Sequence, residues 1–231
     1  MANSPKCWAI IPAAGIGERF GSSLPKQYAH INKQTVLECA LSTFIASPQI
    51  TGITVALHAD DQHFSTLDIA AKLLWTVTGG ESRAHSVLHA LTFLQEHAVA
   101  EDFVLVHDAA RPCLLSADLN KLMDNVMTHQ VGGLLATPLS DTLKKVESAK
   151  IVDTINREQL CRAQTPQMFR YGLLFNALRH AIDNKINVTD EAQAIELQGH
   201  QPCIVEGNAC NIKITTKEDL QIAELFLKRF H

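Results

Sequence analysis

The stretch CWAIIPAAGIGERFGSSLPKQY, residues 7–28, joins an apolar run to a long glycine-rich loop. The run at 7–13 has the length and composition of a buried strand. The glycines after it do not have the spacing of a dinucleotide-binding turn, and Pro25 disfavours the helix that such a turn would begin. The Walker sequence G-x-x-x-x-G-K-[ST] is absent as well. The stretch therefore predicts a first strand whose carboxyl end opens into a wide loop.

Further along the chain, short apolar runs alternate with amphipathic helical stretches. This alternation predicts an α/β protein with a Rossmann-like, mostly parallel sheet and helices on both faces, in a single domain over 1–231. The predicted strands are 7–13, 53–57, 74–78, 103–107, 132–138, 201–207 and 211–216. The predicted helices are 35–46, a segment after Asp60, 82–98, 116–130 with Ser116 as its N-cap, 170–184, 189–198 and 216–229.

Residues 138–160 break this rhythm. The segment DTLKKVESAKIVDTI contains two alternating patterns, at 141–146 and 150–155, joined by a polar turn. They predict a β-hairpin that has no evident place in a parallel sheet. Because an isolated hairpin is only marginally stable in water, we expect this one to protrude as an arm and to pack on another surface, such as a second subunit.

The composition limits the class of protein. The chain has 231 residues, 46% of them hydrophobic, and a formal net charge of −4. That charge is too small to predict a nucleic-acid surface, so any anion site must be a local basic cluster. No apolar run approaches the ~18 residues of a membrane span, and we expect no signal peptide, because the N-terminal segment lacks a long apolar core. Six cysteines without a C-x-x-C pair indicate free thiols in a reducing cytoplasm.

Ligands of open parallel sheets bind at the carboxyl ends of the strands, so the loops after the predicted strands are informative. Backbone N–H groups of the loop after the first strand could wrap a triphosphate. Arg19 and Lys26 would then supply positive charge where negative charge builds up during nucleotidyl transfer. The alternative is that both side chains are solvated surface charges.

Two further loops carry suitable residues. In VHDAARP, Asp108 is a candidate Mg²⁺ ligand, since hard cations prefer carboxylate oxygens, and Arg111 could contact a substrate anion. In TGGESRAHS, Gly80 permits close backbone approach and Ser86 can hydrogen-bond a base edge. The alternatives are a turn in which Asp108 caps the next helix and a simple strand-to-helix turn capped by Ser82. Three such loops at one sheet edge favour a common site.

Seven motifs occur in order along the chain: PAAGIGERFG…LPKQY, GGESRAHSV, VHDAARP, DTLK, TPQ, TDEA and NIKIT. Together they resemble the 2-C-methyl-D-erythritol 4-phosphate cytidylyltransferases of the non-mevalonate isoprenoid pathway, over about residues 7–226. The resemblance implies a nucleotidyltransferase that joins CTP and a polyol phosphate to give a CDP-polyol and pyrophosphate, without a covalent enzyme intermediate. It also implies Mg²⁺ or another hard divalent cation as cofactor, and a homodimer in which the arm at 138–160 embraces the second subunit.

The resemblance assigns roles to the residues that match the family's motifs. Arg19 and Lys26 match its transition-state stabilisers, and Asp108 matches its Mg²⁺-linked aspartate. The nucleotide-binding positions are Ala13, Ala14, Gly15, Gly80, Glu81 and Ser86. The positions that hold the methylerythritol phosphate are Asp108, Arg111, Thr142, Arg157, Thr165, Thr189 and Lys213. The family often has a shorter acidic residue at the position of Glu81, which affects the detail of the base contacts.

Two other functions are compatible with parts of this pattern. The first is the same chemistry on another polyol phosphate such as ribitol 5-phosphate, because cytidylyltransferases for that substrate share many of the motifs. The second is a non-catalytic nucleotide-binding protein, which would need the loop glycines but neither Lys213 nor Arg157.

Overall fold

A computed structural model describes residues 4–15, 24–71 and 73–230. The strands are β1 Cys7–Pro12, β2 His30–Ile31, β3 Gln34–Thr35, β4 Ile50–Leu57, β5 Leu74–Thr78, β6 Phe103–Val106, β7 Gly132–Pro138, β8 Leu143–Glu147, β9 Lys150–Ile155, β10 Cys161–Arg170 and β11 Cys203–Glu206. The α-helices are α1 Val36–Ala46, α2 Arg83–Phe93, α3 Ser116–Val126, α4 Tyr171–Asp183, α5 Glu191–Glu196 and α6 Lys217–Phe230.

The central sheet has seven strands in the order β11-β7-β10-β6-β1-β4-β5. Every neighbouring pair that does not include β10 is parallel, and β10 runs antiparallel between β6 and β7. The loops after β1, β4, β5 and β6 therefore leave the sheet at one edge. The predicted mostly parallel α/β fold is confirmed.

Hydrophobic side chains cover both faces of the sheet. Successive residues of a strand point to opposite faces, and in β1 the neighbours Ile10 and Ile11 belong to different buried clusters. Ile11 packs in the cluster that contains residues of α1 and α3, whereas Ile10 packs with residues of α2 and α4. The near-continuous apolar sequence of β1 follows from this two-sided burial.

Strand β10 was not among the predicted strands. Its middle is polar in sequence, yet Gln164, Thr165 and Gln167 are buried. Their side chains are hydrogen-bonded: the amide of Gln164 donates to the carbonyl of Asn208 at 2.9 Å, and the amide of Gln167 donates to Asp190 at 3.0 Å. These partners come from distant parts of the chain, so no apolar pattern marks the strand.

Two predicted elements are wrong. In place of a helix after Asp60, the described residues form only a short 3-10 turn at Phe64–Thr66. The carboxylate of Asp61 accepts the backbone N–H groups of His63 and Phe64 and thereby stabilises a local turn. In place of a strand, residues 211–216 form an irregular segment whose backbone pairs with the site loops described below.

The predicted cap of α3 is also wrong. Ser116 is the first residue of the helix, the N-cap is Leu115, and no side chain caps the helix there. Helix α1, in contrast, begins with a capping box in which Thr35 and Glu38 satisfy each other's backbone N–H groups.

The predicted hairpin is present as β8 and β9, which form a two-stranded sheet of their own. Its apolar side chains are exposed, including those of Val146, Ile151 and Val152. The hairpin therefore protrudes from the central sheet as an arm. Within the described ranges, no helix is both long enough and apolar enough to cross a membrane.

Candidate active site

A pocket of about 460 Å³ lies at the carboxyl edge of the sheet. The three loops that the sequence placed together, after β1, β5 and β6, meet here. The lining residues are Pro12, Ala13, Ala14, Gly15, Lys26, Gln27, His58, Gly80, Glu81, Ser82, Arg83, Ser86, Asp108, Ala109, Ala110 and Lys213.

The start of the loop after β1 is held from beneath by Gln27. Its buried side-chain amide donates to the carbonyl oxygens of Ala13 at 2.8 Å and Gly15 at 3.2 Å. Lys26 begins the short 3-10 turn at Lys26–Tyr28, and its Nζ donates to the carbonyl of Ile214 at 3.1 Å. The ammonium group therefore reaches the segment that carries Lys213. Arg19, the other predicted charge of this loop, lies outside the described residues.

The loop after β5 is a tightly bonded turn into α2. The hydroxyl of Ser86 accepts the N–H of Gly80 at 3.1 Å and donates to the carbonyl of Ser82 at 2.9 Å. Ser82 in turn caps α2 by accepting the N–H of His85. The capped-turn interpretation is therefore correct, and Ser86 shapes the loop that lines the pocket. Glu81 lies exposed at the rim.

A glycine is needed where the loops after β1 and β5 touch. A Cβ atom on Gly79 would lie 2.5 Å from the Cβ of Ala14 and 2.9 Å from the hydroxyl of Ser86. Such distances are far below van der Waals contact, so the two loops can meet only because position 79 lacks a side chain.

Asp108 is the centre of the charged part of the pocket. Arg83 Nε lies 2.8 Å from its Oδ1, Lys213 Nζ lies 2.8 Å from its Oδ2, and Arg111 Nε lies 3.7 Å from the same Oδ2. Burial alone would raise the pKa of Asp108, but Arg83, Lys213 and Arg111 together hold it well below its usual range. The carboxylate is therefore ionised and orients three cations. No helix follows it directly, which excludes the helix-cap alternative.

Arg83 and Glu191 were missed by the sequence analysis. The guanidinium NH1 and NH2 groups of Arg83 lie 2.6 and 2.9 Å from the two carboxylate oxygens of Glu191, a bidentate pair. One signal was available: Arg83 is the first residue of α2, where the helix dipole disfavours a cation. A cation at that position indicates that compensating carboxylates lie nearby, but it does not indicate which residues supply them.

Thr165 and His107 support the loop after β6. The hydroxyl of Thr165 accepts the backbone N–H of Asp108 at 3.0 Å and lies 3.0 Å from His107 Nδ1. Nε2 of His107 lies 3.0 Å from the carbonyl of Arg111, which can only accept, so Nε2 carries the proton and Thr165 donates to Nδ1. Burial lowers the pKa of His107 to about 4, which keeps the ring neutral.

Five predicted substrate-binding residues are not among those that line the pocket of this chain. Arg111 and Thr165 contact Asp108, which does line it, whereas Thr142, Arg157 and Thr189 lie elsewhere. Thr142 and Arg157 are exposed at the base of the arm, where Arg157 donates to the carbonyl of Ser140. Thr189 is exposed before α5, and its N–H and hydroxyl both donate to the side chain of Gln193.

The pocket offers few ligands for a metal ion. Among the residues that the structure describes, no three His, Cys, Asp or Glu side chains are grouped to hold a cation. The one buried carboxylate of the lining, Asp108, already faces three cations. Mg²⁺ fits this donor set only with phosphate oxygens as its other ligands, which is how the ion is held in many phosphoryl-transfer sites.

Comparison with known proteins agrees with this geometry. The model of the 2-C-methyl-D-erythritol 4-phosphate cytidylyltransferase family matches residues 7–229. The chain belongs to this family. Proteins of that name from Hahella chejuensis and Haemophilus ducreyi are 45% and 48% identical; the alignments cover 97% and 96% of this chain and 94% and 96% of the relatives.

The family's solved structures share the fold. The crystal structure of the Francisella tularensis protein of the same name superposes with a TM-score of 0.84 at 37% identity, covering 96% of this chain and 99% of that one. The predicted family and the predicted class of enzyme, a nucleotidyltransferase, are therefore confirmed.

Proposed function

We propose that the protein transfers the cytidylyl group of CTP to 2-C-methyl-D-erythritol 4-phosphate and releases pyrophosphate. The observation that carries this proposal is the convergence of Lys26 and Lys213 on one pocket. Lys26 Nζ bonds the carbonyl of Ile214, which is 188 residues away in sequence and adjacent to Lys213. Two anionic substrates need such a concentration of positive charge to approach each other.

In the proposed reaction, an oxygen of the acceptor phosphate attacks the α-phosphorus of CTP. A new O–P bond forms as the bond from the α-phosphorus to the bridging oxygen of pyrophosphate breaks, so the enzyme forms no covalent intermediate. Lys26 offsets the negative charge that builds up on the α-phosphate. Lys213, held by Asp108, orients the acceptor phosphate for in-line attack.

The nucleotide is proposed to lie along the loops after β1 and β5. Ala14 and Gly15 offer backbone at the triphosphate side, where Ala13, whose N–H donates to the carbonyl of Ala56, supports them. Gly80 and Glu81 offer backbone beside the cytosine. Arg19 is proposed to act with Lys26 on the triphosphate.

Asp108 is proposed as the residue that would hold Mg²⁺, together with oxygens of the bound triphosphate. The ion would neutralise phosphate charge when bound. Lys213, whose side chain is partly exposed, can donate to Asp108 Oδ2 and to a phosphate oxygen at the same time, because its ammonium group has three N–H donors.

The rest of the acceptor site is proposed to involve a second subunit. Thr142 and Arg157 stand on or beside an exposed arm, which supports a homodimer in which the arm of one chain reaches the pocket of the other. Arg111, Thr165 and Thr189 belong to the same proposed acceptor region. Six free cysteines support a cytoplasmic location.

Pyrophosphate release tests the reaction. The wild-type protein should release pyrophosphate from CTP in preference to ATP, GTP and UTP, and faster with methylerythritol phosphate than with ribitol 5-phosphate. Lys26→Ala should lower kcat by about 10²–10³-fold, with a much smaller change in the KM for CTP. Lys33→Ala, at an exposed turn, is the matched control. A Lys26→Ala enzyme with the wild-type kcat and only a raised KM would contradict the assigned role.

Removal of divalent ions tests the cofactor. A chelator should abolish pyrophosphate release, and Mg²⁺ should restore it, because the triphosphate brings more negative charge than Lys26 and Lys213 can offset. Turnover that persists in excess chelator would show that the cations of the protein suffice.

A further inference from the structure

The carboxylate of Glu191 lies outside the pocket lining but is connected to it. It is 1% exposed, and its two oxygens take both terminal nitrogens of Arg83. Arg83, 27% exposed at its side chain, lines the pocket and touches Asp108 through Nε alone. Glu191, Arg83, Asp108 and Lys213 thus form a chain of alternating charge that begins in the interior and ends at Lys213.

The position of Glu191 is fixed by hydrogen bonds of its neighbours. Asp190 caps α5 by accepting the N–H of Gln193, and it also accepts from the buried side chain of Gln167 in β10. The oxygen of the same Gln167 amide accepts the N–H of Ala192 at 2.8 Å. The residues on both sides of Glu191 are therefore tied to the central sheet, and its carboxylate is held in place before any substrate binds.

The geometry divides the donors of Arg83 between two carboxylates. A planar guanidinium prefers to present two parallel N–H groups to one carboxylate. Glu191 accepts from the two terminal N–H groups of Arg83. The Nε of Arg83 is then left to donate to Oδ1 of Asp108, and Oδ2 of Asp108 is left to accept from Lys213. Without the charge of Glu191, the two terminal N–H groups of Arg83 could turn to Asp108 and compete with Lys213 for Oδ2 of Asp108.

We propose that Glu191 is a positioning residue for the transfer reaction: by occupying the bidentate face of Arg83, it reserves Asp108 Oδ2 for Lys213 and thereby sets where Lys213 meets the acceptor phosphate. The inference rests on the proposed function. It concerns a residue that contacts neither substrate in that proposal and acts through two intervening side chains.

Glu191→Gln tests the inference, because it keeps the size of the side chain and removes its charge. We expect kcat to fall about 10- to 100-fold, since small misplacements of a reacting group have effects of that order. The KM for the polyol phosphate should rise, and the KM for CTP should stay within about two-fold of the wild type. If Glu191 only neutralised Arg83, the variant would leave the charge of Arg83 uncompensated. The extra positive charge would then lower the KM of both substrates without loss of kcat, and that result would overturn the inference.

Asp102→Asn is the matched control for a general loss of stability. Asp102 is a buried carboxylate at the opposite end of β6, and it accepts from Lys6 N at 2.8 Å and from Trp8 Nε1 at 3.1 Å. This variant should lower the midpoint of thermal unfolding and leave kcat unchanged. An equal fall in kcat in Asp102→Asn would overturn the inference, because the effect of Glu191→Gln would then reflect stability alone.

Arg83→Lys provides a second test, which also serves if Glu191→Gln does not fold. Lysine keeps the charge, but as a point charge it cannot bond two carboxylates in the same way. We expect the same loss of kcat, and full activity would overturn the inference.

Two readouts separate the inference from the proposed function. A wild-type protein that does not release pyrophosphate with CTP and methylerythritol phosphate would contradict the function, and the variant ratios would then be measured with ribitol 5-phosphate. A crystal structure of Glu191→Gln needs no assay at all. It should show Arg83 turned toward Asp108 and Lys213 displaced from Oδ2, and unchanged contacts would overturn the inference.

Discussion

At the scale of single residues, the neutral imidazole of His107 joins two parts of the site. It accepts from Thr165 on β10 and donates to the carbonyl of Arg111, so one ring connects β10 to the loop that carries Asp108. Its ring also packs against Phe44, with centroids 5.2 Å apart. A charged ring in this place would lose its hydration.

The pKa of His107 predicts how stability depends on pH. Burial lowers this pKa from 6.5 to about 4, so between these values the unfolded chain binds a proton that the folded chain does not. The free energy of unfolding should therefore fall as the pH drops from 6.5 toward 4, by up to about 1.4 kcal/mol per pH unit from this residue. The pKa of Asp108 is also lowered, but its stabilisation is lost only below pH 3.8, outside this window.

Chemical denaturation at several pH values between 6.5 and 4.5 measures the effect. His107→Gln should show a shallower dependence of the unfolding free energy on pH than the wild type. His200→Gln, which changes an exposed histidine, should keep the wild-type slope. Identical slopes in all three proteins would exclude His107 as the source.

Which site residues the sequence could predict depends on how local their signal is. Asp108 follows a buried strand within a recognisable motif, and Lys26 belongs to the loop after β1. The pair of Arg83 and Glu191 is separated by 108 positions and depends on how α5 is placed against the loop after β6. No local pattern encodes that distance, so the charge partner of Arg83 could be found only in the folded chain.

At the scale of elements, apolar runs predicted strands both in the interior of the sheet, where β7 is buried on both faces, and at its half-buried edge, where β5 lies. Strands β5 and β7 match their predicted bounds, 74–78 and 132–138. The errors concern segments whose hydrogen bonds are made by side chains or by backbone groups that pair outside any sheet. In 211–216, for example, the N–H of Ile214 donates to the carbonyl of Ala110 and the amide of Asn211 donates to the carbonyl of Thr165, so tertiary contacts replace the predicted strand.

The contact between the loops after β1 and β5 predicts the effect of a single methyl group. Gly79→Ala would place a Cβ atom 2.5 Å from that of Ala14, so the loops must separate. We expect a loss of stability of about 1–3 kcal/mol and a raised KM for CTP, because both loops line the proposed nucleotide site. Enzyme assays and denaturant titrations would measure the two effects.

Gly172→Ala is the control for the added methyl group, since it lies in α4 and its Cβ would meet only Ala100, at 3.0 Å. It should leave the KM for CTP unchanged. A Gly79→Ala protein with wild-type KM would show that the loops separate without cost to the nucleotide site.

At the scale of the whole molecule, the arm predicts exchange between two chains. If the arm of one subunit completes the pocket of the other, a dimer of Lys26→Ala with Arg157→Ala contains one site with both defects and one with neither. Unfolding and refolding the two inactive variants together should therefore restore activity, whereas each variant refolded alone should stay inactive.

The outcome separates two arrangements of the same residues. If Arg157 acts within its own chain, every site of a mixed dimer carries one defect, and no activity returns. Mixed dimers can be verified by tagging the two variants differently. Their formation without recovered turnover would exclude a shared site.

The contact of Lys26 with Ile214 has a consequence for how the protein is made on the ribosome. Ile214 is synthesised 188 residues after Lys26, which at 5–20 residues per second takes about 10–40 s. Late in that interval the nascent polypeptide contains the loops after β1, β5 and β6, but not Lys213. A growing chain therefore holds the loops after β1, β5 and β6 before it holds Lys213, and the proposed chemistry must wait until residue 213 has been translated.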